Sequence, residues 1–415
     1  MNLFTFLFLS LLAVSLLVRL WLTIRQERHV SEQRHQVPEA FRLQVTLAAH
    51  QKAAAYTLAG LKLERTGIIV GTIIMVLWTV GGGLQLLDEI WSHRNLPSLT
   101  HGVALILSLL AITYIIELPL GVWRIFVIER RFGFNRSGIG LFVADRCREI
   151  ILTALLMTPM IFAILWLIGN QTYWWLYVWL VWSAFSLLML WLYPVVIAPL
   201  FNQFKVLDDP ELRQRIEALL HRAGFKTRGI FVVDGSRRSS HGNAYFTGLG
   251  RNKRIVFYDT LLRSLNHDEI LAVLSHELGH FRHAHIKKRL AMMAVVSLTI
   301  LLLLAWLSPQ TWFYQGLGVS RSDGDMLLAL FLVCAPLLAD FVQPLTMYLN
   351  RRDEYQADAF AASRNFARPL IDALIKLYQD NATTLTPDPL YATFHESHPT
   401  AADRISHLEK STVPV

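Results

Sequence analysis

The residues best equipped for chemistry lie in one stretch, 271–284, which reads LAVLSHELGHFRHA. Inside it stands His276-Glu277-Leu278-Gly279-His280, an H-E-x-x-H pattern. On a helix, residues four apart lie one above the other, so both imidazoles can reach one metal ion. Glu277 sits beside that face, where its carboxylate can act on a water at the same ion. Two imidazoles, a carboxylate base and an open position are the parts of a metal-dependent hydrolase. Apolar Leu271, Ala272, Val273 and Leu274 precede the pattern, as a buried helix requires, and Gly279 lets another segment come close.

Two histidines leave a catalytic zinc one protein ligand short. With only two cysteines, Cys147 and Cys334, an all-cysteine site is impossible, and the further donor is expected to be His, Glu or Asp. His283 shares the face of His280, but ligands on consecutive turns of one straight helix spread too far for one ion. His285, five residues on, points away from that face. The better source is Asn350–Phe360, NRRDEYQADAF, where Glu354 and Asp358 are four apart. One can ligate while the other accepts a hydrogen bond from a ligand imidazole.

These segments have to be held by a chain that is 53% hydrophobic and 17% charged. That is too apolar for a soluble globule, and the 12 Trp suit membrane interfaces. Seven apolar runs are long enough to cross a bilayer: 2–24, 67–87, 103–122, 150–168, 173–197, 290–307 and 326–348. The first reads as a retained span, with Arg19 snorkelling to the interface. The stretch 25–65 is polar and basic, with helical periodicity over 40–63. Between runs five and six the composition turns mixed. An amphipathic helix over 211–223, strands over 230–233 and 254–258, and the motif helix over 268–285 are predicted there.

The division predicted is a five-span region 1–198, a peptidase domain 199–289, spans six and seven within 290–348, and a C-terminal segment 349–415 that completes the site. The formal charge of +8 fits membrane topology better than nucleic-acid binding, because the basic residues gather between apolar runs. Loops one, three and five and the tail are rich in Arg and Lys. Loop two carries only Arg94, loop four none and loop six only Arg321. This alternation puts the N-terminus outside, with the motif helix and the tail both on the cytoplasmic face.

From the third loop to the tail the sequence resembles a known family, the M48 integral-membrane zinc metalloproteases of the CAAX prenyl protease 1 type. The pieces that carry the resemblance are Gly133-Phe134-Asn135, SRRSSHGNAYF at 236–246, KRIV at 253–256, DTLL at 259–262, the motif helix, Glu354–Asp358, Ser397-His398-Pro399 and Asp403-Arg404-Ile405. It implies a mainly α, polytopic fold. Seven transmembrane helices would enclose a water-filled chamber, above a cytoplasmic α+β zinc-metalloprotease domain. It implies one Zn2+ per chain held by His276, His280 and Glu354, with Glu277 as general base and Asp358 behind the ligands. His398 and Arg404 would stand near the developing oxyanion. Asn243, Ala244 and Tyr245 would form an edge strand that pairs with the substrate backbone. Glu117 and Asp340, carboxylates inside spans, agree with a wet interior.

The expected partners are the lipid bilayer and a peptide or protein substrate, prenylated or membrane-associated, with no nucleic acid. The linker between spans six and seven is shorter than in the eukaryotic type, and the tail carries no evident ER-retrieval signal. These departures bear on whether the substrate is prenylated, and the membrane expected is a bacterial inner membrane rather than the ER. Two other readings are a quality-control protease for membrane proteins without prenylated substrates and, in a different class, an ion-binding transporter.

Overall fold

A computed structural model of the chain describes residues 2–247 and 254–410. Lys253, part of one piece of the resemblance, lies outside them. The apolar runs all become helices, because a backbone in lipid must satisfy its hydrogen bonds within its own segment. Among the described residues six are long and apolar enough to cross a membrane: Leu3–Gln33, Ser98–Glu129, Ile139–Asn170, Trp174–Phe201, His285–Leu307 and Gly324–Ala362. A seventh is the pair Leu47–Trp78 and Gly83–Ser92, bent by 50° at its break. The break falls at the glycine run, where Gly82 takes φ +77°, a conformation open to glycine at little cost. The basic stretch 25–65 is helical over most of its length, and the periodicity expected over 40–63 becomes helix from Leu47 onward. Most of it extends the first and second spans as straight helix beyond the apolar runs.

The spans surround two neighbouring cavities whose lining mixes polar and apolar side chains. One, about 470 Å3, is lined by Ser15, Arg19, Thr113, Glu117 and Asp340. Gly67 lines both it and the second, of about 690 Å3, which reaches Glu64, Arg124, Glu129 and Glu396. Arg19 does not snorkel outward. It turns inward and pairs with Asp340 at 3.1 Å, while Ser15 donates to the same carboxylate at 2.7 Å. A guanidinium and a carboxylate that meet inside a wet cavity avoid the cost of either facing lipid. At the far end of the bundle, Asp88, His101 and Asp325 gather around Arg321, whose guanidinium lies 3.2 Å from Asp88.

Beyond the fifth span the chain folds a four-stranded sheet, β1 (Phe204–Val206), β2 (Gly229–Val233), β3 (Ala244–Thr247) and β4 (Arg254–Tyr258). The order is β1-β2-β4-β3, with β2 and β4 parallel and the outer pairs antiparallel. The sequence reading missed β1 and placed β3 only through the resemblance. Both are short strands of mixed polarity with no clean alternation. Gly133-Phe134-Asn135 and the 236–246 stretch prove to be partners. Asn135 bridges Ser239, and His241 stacks on Phe134 at 4.4 Å, tying the third loop to the sheet.

The motif helix runs from His267 to Arg282. Asn266 caps it: its side chain accepts from the Glu269 N–H, and the Glu269 carboxylate accepts from the Asn266 N–H. That reciprocal pair satisfies two N–H groups that the first turn would otherwise leave bare. Leu271, Leu274 and Leu278 are fully buried against the sheet side, each worth roughly 1.5–3 kcal/mol as an upper bound. On the other side lies the long helix Gly324–Ala362, which is the last span and continues beyond it to carry Glu354 and Asp358.

Gly279 makes this contact possible. A Cβ there would stand 2.8 Å from Ala357 Cα and 3.0 Å from its carbonyl oxygen, both backbone atoms that cannot swing aside. Gly279→Ala is therefore expected to cost about 1–3 kcal/mol and to push the two helices apart. Thermal unfolding and metal content of the purified variant should both fall. A variant with unchanged metal content would show that the helices can yield here without disturbing the site.

Candidate metal centre

The close approach of the motif helix and the long helix brings three donors together. His276 Nε2 and His280 Nε2 are 3.2 Å apart. Glu354 Oε1 is 3.2 Å from His280 Nε2, and Oε2 is 3.4 Å from His276 Nε2. A tetrahedral ion with bonds of about 2.0–2.1 Å has edges of about 3.3 Å between its ligands. The separation of the two imidazole nitrogens matches that edge, and each carboxylate oxygen of Glu354 stands at about that distance from one of them. Glu354 Oε2 is also buried without a hydrogen-bond partner, which is costly unless something else meets it. The residues present thus fit a metal ion on the evidence of their own spacing.

The surroundings hold these donors in place. His276 Nδ1 is 2.8 Å from Asp358 Oδ1, so the ring's Nδ1–H donates to the carboxylate and leaves Nε2 facing the centre. Arg404 lies behind this pair. Its Nε and Nη2 donate to Asp358 Oδ2 and Oδ1 at 2.9 and 2.6 Å, and Nη1 is 3.7 Å from Glu354 Oε2. Burial lowers the His276 pKa, but the carboxylates of Asp358 and Glu354 outweigh it and raise the value to about 9. A metal ion that binds here must expel that proton.

Comparison with known proteins then decides the family. Residues 26–203 match the family described as CAAX prenyl protease N-terminal, five membrane helices, and residues 207–412 match peptidase family M48. CAAX prenyl protease 1 of Saccharomyces cerevisiae is 32% identical over 421 residues, 94% of this chain and 91% of that one.

The chain belongs to peptidase family M48.

A CAAX prenyl protease 1 homolog of Arabidopsis thaliana is 35% identical over 324 residues, 74% of this chain and 73% of that protein. The crystal structure of S. mikatae Ste24p superposes with a TM-score of 0.91 at 28% identity, covering 99% of this chain and 100% of the other. The chain is thus a metallopeptidase embedded in a membrane through multiple spans, acting on peptide or protein substrates.

The other residues singled out in the sequence of this M48 peptidase fall in distinct places. Glu277 is half-buried next to the imidazoles, and desolvation raises its pKa while their charges pull it down. His398 approaches from the exposed side, with Nε2 3.6 Å from Glu354 Oε1 and Nδ1 3.0 Å from Ser397 Oγ. It also lines a cleft of about 710 Å3 that runs past Arg351 and Thr400, and its partial burial there lowers its pKa. Asn243 leads into β3, and Ala244 and Tyr245 lie on it. β3 is the outermost strand, and among the described residues its free edge pairs with no other strand. The Ala244 N–H is taken by the Asn243 side chain at 2.8 Å.

Arg404 lies deeper than His398. It is 5% exposed and faces the back of His276 rather than the open side where His398 stands. Two of its nitrogens hold Asp358, and the third points toward Glu354 Oε2 at 3.7 Å. One residue near the centre was set aside at the sequence level. His285 is buried and touches His280, because the chain turns sharply at Ala284 and the helix does not run straight on.

Proposed function

We propose that this peptidase holds one Zn2+ through His276, His280 and Glu354 and hydrolyses peptide bonds near the carboxyl ends of prenylated proteins. The observation that carries the metal assignment is the meeting of Glu354 with both imidazole Nε2 atoms at 3.2 and 3.4 Å. Three nitrogen and oxygen donors and one open position suit zinc. Residues 199–289 and the segment after 349 work as one peptidase unit, because the third donor comes from beyond the last span.

When bound, zinc supplies a Lewis acid that polarises the scissile carbonyl and makes a nearby water more acidic. Glu277 accepts the proton of that water and hands it to the leaving amine. Desolvation keeps its carboxylate basic enough for the first transfer. His398, on the open side, donates to the carbonyl oxygen as negative charge grows there. Asp358 and Arg404 keep the His276 ring and the Glu354 carboxylate aimed. The free edge of β3 takes the substrate as an added strand, and the Asn243 side chain gives up the Ala244 N–H to the peptide carbonyl.

The prenylated substrate is supported by the names of the relatives and by the shape of the interior. The chamber within the spans offers a place beside lipid for a chain anchored by its own isoprenoid. The positive-charge pattern of the loops supports a cytoplasmic site. The relatives cited are eukaryotic and lend no support to a bacterial inner membrane. The test is mass spectrometry of peptides released from matched farnesylated and unmodified CAAX peptides. We expect cleavage of the farnesylated form, faster by tenfold or more on the order of a lost apolar contact. Equal rates would favour the quality-control reading.

A further inference from the structure

We propose that His285 is the positioning residue for the ligand imidazole of His280, as Asp358 is for His276. The inference rests on the metal assignment above and adds a residue to it. His285 Nδ1 lies 2.9 Å from His280 Nδ1, and His285 is 1% exposed. Its Nε2 lies 3.0 Å from Gln356 Oε1 and 3.4 Å from Asp353 Oδ1.

A residue five positions on along a straight helix is turned about 140° away. Here the helix does not run straight. It ends at Arg282, and Ala284 takes the left-handed conformation, φ 56° and ψ 33°. A non-glycine residue held there marks a backbone constrained by its surroundings. The next helix, the sixth span, starts at His285 in a new direction. Its first side chain therefore folds back beneath the ligand.

The protons can be counted. A contact between two Nδ1 atoms holds one proton. If His280 gives its Nε2 to the ion, its Nδ1 carries the proton and donates. His285 Nδ1 then accepts, so its own proton sits on Nε2 and is donated to Gln356 Oε1. One set of tautomers satisfies all four ring nitrogens. The choice of an imidazole also follows from charge. Glu277, Glu354 and Asp358 already crowd the centre against one guanidinium, and a neutral acceptor orients His280 without adding a fourth carboxylate. The chain of contacts ties the ligand to the start of the sixth span and to the helix that bears Glu354.

The test is the zinc affinity of the purified full-length protein, measured by chelator competition, for wild type, His285→Phe and His285→Asn. Phenylalanine keeps a ring but has no acceptor. The Asn Oδ1 falls where the imidazole Nδ1 was and can accept. We expect Phe to weaken zinc binding by about 10–100-fold and Asn to recover most of it. The visible absorption of the cobalt-loaded protein should shift in the Phe variant and return in Asn. If the Phe protein does not fold, the His285→Ala and His285→Asn pair gives the same contrast. A wild type that takes up no zinc overturns the metal assignment, and this proposal with it. A wild type that binds zinc, alongside Phe or Ala variants that bind it as tightly as Asn does, overturns the positioning role alone.

Discussion

Glu277→Gln is expected to keep one bound zinc per chain and to lose peptide hydrolysis by about 10²–10⁴-fold. Glutamine has nearly the same shape, so the His276, His280 and Glu354 donors stay where the packing holds them. What it lacks is a site for the proton of the attacking water. The two readouts must separate: zinc content by atomic absorption unchanged, and product from a quenched peptide nearly gone. A variant that cleaves at the wild-type rate would remove Glu277 from the reaction. A variant that loses its metal would give Glu277 a structural part that its position beside, rather than among, the converging donors does not suggest.

The second large effect is expected at Arg404. Its guanidinium is the cation that faces Asp358 and Glu354 from behind, and it is buried. Burial lowers the guanidinium pKa, but the Asp358 carboxylate outweighs this and holds it above the ordinary value. Arg404→Met keeps the apolar stem and removes the charge, leaving two buried carboxylates facing each other without it. Breaking such a group from one side costs about 3–5 kcal/mol. Thermal unfolding should drop and zinc retention should fail together. An arginine beside the oxyanion would behave differently: metal and stability would persist while turnover alone fell by about 10²–10³-fold. Measuring both on one preparation tells these outcomes apart.

Much of this centre was legible in the sequence for reasons that can be named. His276 and His280 are four apart on an apolar helix, and Glu354 and Asp358 are four apart just beyond the last apolar run. Helical spacing of that kind places side chains without knowledge of the fold. The seven spans were legible because lipid allows so few solutions for an apolar run. Other features depended on contacts distant in sequence. Arg19 reads as an interfacial residue until Asp340, 321 positions away, is seen to meet it. Arg404 was placed near the centre only through the resemblance, and its contacts with Asp358, 46 positions away, are what show which side of His276 it takes. His285 was set aside by an argument about a straight helix, and one left-handed alanine made that argument inapplicable. A rule that infers direction from spacing fails where the backbone changes direction.

The long helix has one more consequence. Asp340 is anchored to Arg19, and Glu354 lies fourteen residues further along the same helix, about 21 Å at 1.5 Å per residue, with Pro344 between them to loosen the helix by one hydrogen bond. A bend of about 5° at that proline or at the anchor would carry the carboxylate by up to about 2 Å, roughly a whole metal–oxygen bond length. Lipid thickness sets how far a membrane helix leans. Peptide turnover is therefore expected to differ between bilayers of thin-tailed and thick-tailed lipids, and equal turnover in both would show that helix tilt does not reach the carboxylate.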